Sequence, residues 1–111
     1  MKNLQQLTEQ AEAIRLKYED VDAKNGRAPW GIRDYAMGFV GDVGKLQKLI
    51  MAKENLRELT GIDDIDAALS HELADCLWST LVLAAHYKLD LEKEFAKTMD
   101  VISGRIAKEY S

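Results

Sequence analysis

Apolar residues recur at Leu4, Leu7, Ala11, Ile14, Tyr18 and Val21, with mostly polar residues between them. The spacing alternates between three and four residues, the pattern of a narrow apolar stripe on an α-helix. Asn3, with Gln6 three residues later, supplies a capping pair at its start. The stretch NGRAPWG at 25–31 holds the chain's one proline, Pro29, and ends this helix. A second helix is predicted from near Ile32 to about Leu59, with Phe39, Val40, Val43, Leu46, Leu49, Ile50 and Met51 as its apolar positions. Thr60-Gly61 closes it. Asp63 and Asp64 then place negative charge at the positive end of a third helix that runs to about Leu89. That helix is the richest in apolar residues (Ile65, Leu69, Leu73, Leu77, Trp78, Leu81, Val82, Leu83) and is expected to be the most buried. Asp90 caps a last helix with a single stripe of Leu91, Phe95, Met99, Ile102 and Ile106, whose end Gly104 weakens.

No segment alternates with a period of two, and β-branched residues are sparse. The expectation is an all-α fold: one domain over 1–111, a compact four-helix bundle. The a/d-like first stripe suits a partner helix and points to a homo-oligomer.

Composition narrows the function. An apolar share of 47% excludes disorder. No apolar run is long enough to cross a bilayer, and MKNLQQLTEQAEAI is no signal peptide. The lone Cys76 excludes an intramolecular disulfide and a four-cysteine zinc site. A cytoplasmic location and no membrane partner are expected. With a net charge of −4 and scattered Lys45, Lys48, Lys53 and Arg57, the chain has no nucleic-acid footprint. An acidic protein that binds phosphate is expected to do so with a divalent cation.

The candidate chemistry lies in polar residues set among apolar ones. Glu72 and Asp75, in SHELADCLW, fall on one face of the third helix. An isolated pair of this kind is ordinarily a solvated face. Asp42, in GFVGDVGKLQKL on the second helix, changes the reading. If the two helices pack antiparallel, three carboxylates converge, and a bound Mg²⁺ relieves their repulsion. Gly38, Gly41 and Gly44 flank Asp42 at three-residue spacing. They mark either a close approach by another helix or room for a ligand.

Asp42-Val43-Gly44-Lys45-Leu46, followed later by Glu72-Leu73-Ala74-Asp75, resembles the MazG-like nucleotide pyrophosphohydrolases of the all-α NTP pyrophosphatase superfamily. The pattern there is E-E-x-x-E, a gap, then E-x-x-D. Cys76-Leu77-Trp78 and Leu89-Asp90-Leu91-Glu92 are similar to further stretches of the family, so that the likeness covers roughly residues 30–106. It implies Mg²⁺-dependent, or Mn²⁺-dependent, cleavage of nucleoside triphosphates to monophosphate and pyrophosphate, a role in cleaning nucleotide pools, and assembly into dimers or tetramers. Asp42, Glu72 and Asp75 match three of the four metal-ligand positions. Lys45 stands at the fourth, and Gly41 stands where the leading carboxylate would be. An ammonium is no ligand. Lys45 either replaces a metal ion and contacts phosphate or turns to solvent in a decayed site.

Trp30 is either a hydrophobic plug or a stacking surface for a nucleobase. Trp78 is expected in the core. Lys97 and Arg105 on the last helix are candidates for triphosphate oxygens by likeness to the family's basic residues there. His71 and His86 are not expected to bind metal, and Cys76 is expected to be a small buried hydrophobe. No general base is identified. The alternatives to an enzyme are a nucleotide-binding or regulatory member without hydrolysis, and a structural helical interaction protein.

Overall fold

The computed structural model describes residues 1–110 and has four helices and no strand among them. These are α1 (Leu4–Lys24), α2 (Ile32–Lys53), α3 (Ile65–His86) and α4 (Leu91–Glu109). The fold is all-α, and none of its helices is long and apolar enough to cross a membrane.

Each boundary has a local cause. Asn3 and Gln6 form a reciprocal capping box on α1, with both hydrogen bonds at 2.9 Å. Asp64 Oδ1 accepts from the Ala67 N–H at the start of α3, and Asp90 Oδ1 accepts from the Lys93 N–H at the start of α4. Gly31 offers no side chain as a cap for α2, so its own N–H donates to Asp34 Oδ2 at 2.9 Å. α2 ends at Lys53, short of the expected Leu59. Asn55 adopts a left-handed conformation (φ 60°), which asparagine tolerates better than most residues and which cannot continue a helix. α3 likewise stops at His86, because Lys88 turns left-handed at φ 56°. Gly104 does not interrupt α4.

α2 and α3 form an antiparallel hairpin, and a 2.7 Å ion pair between Lys53 and Asp66 joins the end of one to the start of the other. α1 lies across α3. Its Ala11 is buried with Tyr35, Leu81 and Val82, and Leu4, Leu7, Trp78, Leu83 and Leu91 pack around them. The first half of the α1 stripe is therefore spent inside the chain, while Tyr18 and Val21 remain exposed. Trp78 is partly buried, and its Nε1–H donates to the Ala11 carbonyl at 3.1 Å, fixing the register of α1 on α3. α4 departs from the expected compact bundle. It touches the rest mainly through α1, buries none of its residues, and leaves the molecule 60 Å long.

Candidate metal centre and aromatic pocket

The antiparallel α2–α3 packing brings Asp42 against Glu72 and Asp75. One carboxylate oxygen from each lies within 4.8 Å of the others. Helical spacing puts Glu72 and Asp75 on one face, and the facing turn of α2 delivers Asp42 between them. Glu72 is one of the most buried residues in the chain, at 2% exposure, whereas Asp42 and Asp75 are half-buried. Lys45, one turn beyond Asp42, reaches over this group, with Nζ 3.6 Å from Glu72 Oε2.

The donor set suits a hard divalent cation: it is all oxygen, anionic, drawn from two rigid helices and open on one side. Mg²⁺ characteristically takes one or two carboxylates, retains waters and binds phosphates, so three carboxylates of which one is paired with lysine fit it. The thiol of Cys76 responds to the same field. Its pKa is pushed up first by desolvation and then by the negative charges of Asp42, Glu72 and Asp75.

A cavity of about 660 Å³ opens beside the acids. Asp42 and Asp75 form one part of its wall, and Trp30, Tyr35, Trp78 and Tyr18 form another. The rings brace one another edge to face: Tyr35 sits 5.4 Å from Trp30 and 5.8 Å from Trp78, and Tyr18 sits 6.0 Å from Trp78. Trp30 lies in the loop before α2 and rests on Gly38, where a Cβ would come within 3.0 Å of its ring. Gly38 is thus the glycine of the 38–44 series that permits a close approach, by an aromatic ring rather than a helix. At Gly41 and Gly44 an added Cβ meets nothing within 4 Å.

The structure brings together Asp42, Glu72, Asp75 and Lys45, and places Trp30 on the adjoining cavity. Lys97 and Arg105 are exposed on α4, outside the walls of that cavity. Sequence reasoning considered His71 only as a metal ligand and set it aside; its Nε2 lies 3.2 Å from Asp75 Oδ2, and it also lines the cavity. The i,i+4 spacing of His71 and Asp75 was the available signal. It also passed over Tyr35 and over Tyr18 as part of a pocket, since Tyr35 reaches Trp78 through the α2–α3 packing and Tyr18 reaches it through the crossing of α1 over α3.

No family model, curated protein or solved structure matches the chain. The functional reading therefore rests on the site geometry and the two half-motifs.

Proposed function

We propose that this chain is a MazG-like nucleotide pyrophosphohydrolase, acting in the cytoplasm on nucleoside triphosphates and releasing monophosphate and pyrophosphate. The observation that carries the reading is the junction of two surfaces. A carboxylate triad fit for Mg²⁺ or Mn²⁺ and a cavity walled by four aromatic rings share Asp42 and Asp75. A nucleoside triphosphate has the matching halves, a flat base and a chain of anionic oxygens that binds divalent ions.

In this reading Asp42, Glu72 and Asp75 hold the ion, which when bound offsets charge on phosphate oxygens. Trp30, Tyr35 and Trp78 bound the base, with the face of Trp30 available for stacking. The reaction forms a bond from water oxygen to the α-phosphorus and breaks the bond from that phosphorus to the oxygen bridging to the β-phosphate. Pyrophosphate leaves, and the water's protons pass to solvent or to a nearby acceptor. The chain's own contribution is orientation. The acids and the rings are mounted on α2, α3 and the loop between α1 and α2, so base and phosphates are fixed relative to each other.

One observation favours a second reading, a nucleotide-binding member without hydrolysis. Lys45 occupies the approach to Glu72 where a further carboxylate would serve a second ion. A screen of ribo- and deoxyribonucleoside triphosphates with Mg²⁺ and Mn²⁺, scored for pyrophosphate, separates the two. Metal-dependent release supports the enzyme. Nucleotide-dependent thermal stabilisation without release supports the binder. Neither effect with any nucleotide removes both and leaves a structural interaction protein.

A further inference from the structure

The cavity beside the triad holds a further acid. α1 contributes Ile14, Tyr18 and Asp22 to its wall, residues that share one face of the helix. The acids of the triad reach the same space from α2 and α3. Asp22 sits among the rings. It lies one turn beyond Tyr18, whose ring meets Trp78 at 6.0 Å. Its charge also reaches Tyr35, whose phenol is raised first by desolvation and further by Glu19 and Asp22, against the opposing charge of Arg15.

Part of its role is local. Arg27 Nε donates to Asp22 Oδ1 at 3.1 Å, and the Arg27 N–H donates to the Asp22 carbonyl at 2.8 Å, so the loop after α1 folds back onto the helix. The Arg27 side chain is 61% exposed, whereas that of Asp22 is 20% exposed and lines the cavity. Among the described residues no second side chain engages the carboxylate. In a cavity that takes a triphosphate, a carboxylate repels the phosphates unless it meets a donor on the ligand. The base, which the rings are placed to hold, carries such donors.

We propose that Asp22 selects the base, favouring triphosphates of cytosine, adenine and guanine over those of uracil and thymine. The inference rests on the nucleotide reading of the cavity and adds the class of base. An ionised carboxylate only accepts hydrogen bonds. Cytosine, adenine and guanine each carry an exocyclic amino group that donates, whereas uracil and thymine present carbonyl oxygens on either side of one ring N–H. A carboxylate set against that edge meets two acceptors for one donor. The hydroxyls of Ser79 and Tyr35, on the same wall, both donate and accept and so discriminate little. A charge-assisted hydrogen bond that one class of base makes and the other lacks separates their affinities by about tenfold or more.

Calorimetric binding of α,β-methylene triphosphates, in which the bond to be broken is blocked, tests this with Mg²⁺ present. The probes are the cytidine, adenosine, guanosine and uridine analogues, with deoxyadenosine as a control for the sugar. The unmodified chain should bind the three amino-bearing analogues about tenfold or more tighter than the uridine one. Asp22→Asn, whose amide both donates and accepts, should narrow that gap. Uridine binding as tight as the others overturns the proposal and leaves the nucleotide reading standing. So does a gap that Asp22→Asn leaves unchanged, or a preference that follows ribose against deoxyribose and not the base. Binding of none of the analogues overturns the nucleotide reading and this inference with it. If Asp22→Asn does not fold for want of the Arg27 pair, the order of affinities on the unmodified chain decides.

Discussion

Lys45 and Glu72 pair across the α2–α3 contact at 3.6 Å from opposite environments, the lysine side chain 67% exposed and the glutamate 2%. A carboxylate at that depth needs a compensating cation, and Lys45 supplies one from solvent through its long stem. Asp42, Glu72 and Asp75 carry three formal negative charges, of which the ammonium offsets one. The two that remain match one divalent ion. If the triad binds metal as proposed, this charge balance suits a single ion.

A metal titration checks this directly. Mg²⁺ or Mn²⁺ should raise the thermal midpoint, by about 2.7 kcal/mol of stability at a concentration one hundred times Kd. Asp75→Asn should abolish that rise, and the metal-free variant should remain folded because one source of repulsion is gone. Calorimetry should return about one ion per chain. No shift with millimolar metal, alone or with nucleotide, means the three acids are not a working site.

Cys76 reports on the same charges. Its thiol is held above the ordinary range by desolvation and by Asp42, Glu72 and Asp75, so its alkylation at mildly alkaline pH should be slow. An ion bound to the acids offsets the electrostatic part and leaves the desolvation part. Iodoacetamide should therefore react faster with Mg²⁺ present, and the pH at half-maximal rate should move down. Asp75→Asn should give a smaller shift in the same direction without metal. A rate indifferent to both would place the ion elsewhere.

The helices and the candidate carboxylate triad were legible, the helices and the Glu72–Asp75 face from local pattern and Asp42 from the antiparallel packing expected of α2 and α3. Asn3 and Asp90 cap where their side chains predict, Asp64 is the N-cap of α3 where negative charge in its first turn was expected, and the spacing of Glu72 and Asp75 fixes one face of α3. The helix ends at Lys53 and His86 were not legible, since nothing in the apolar pattern signals that Asn55 and Lys88 turn left-handed. The pocket was only half visible. Trp30 stood out as a loop aromatic, but Tyr35 meets Trp78 only through the α2–α3 packing, and Tyr18 joins them only because α1 crosses α3 at Ala11. The position of α4 was hidden for a further reason: its stripe reads the same whether it packs within the chain or against another.

Gly38 offers a way to separate stability from binding. Gly38→Ala should favour helix α2 by up to about 1 kcal/mol. The new methyl group would meet Trp30 at 3.0 Å, and the half-exposed ring can shift to relieve it. The thermal midpoint should hold or rise while nucleotide affinity falls. Trp30→Ala should lose more, about 1–3 kcal/mol if the ring stacks on a base. If both variants bind nucleotide as the unmodified chain does, Trp30 serves the hydrophobic packing around Tyr35 and not the ligand.

Lys45→Glu distinguishes a weakened metal centre from a rebuilt one. The substitution changes the local charge by two units and restores a carboxylate opposite Glu72. In a weakened centre the lysine competes with metal, so Lys45→Glu should tighten Mn²⁺ or Mg²⁺ binding, because hard cations favour added carboxylate oxygens. Pyrophosphate release should then rise or first appear. In a rebuilt centre the ammonium contacts phosphate, and the same change should weaken nucleotide binding at low metal and lower any native activity. Without metal, both cases share one result: the variant should be less stable than the unmodified chain, because buried Glu72 loses its only close cation among the described residues and gains a like charge. That common loss, read by chemical denaturation, shows that residue 45 governs Glu72. The sign of the metal and nucleotide effects then tells which centre it is. If metal affinity, nucleotide affinity and turnover all stay unchanged, Lys45 does not take part in the site.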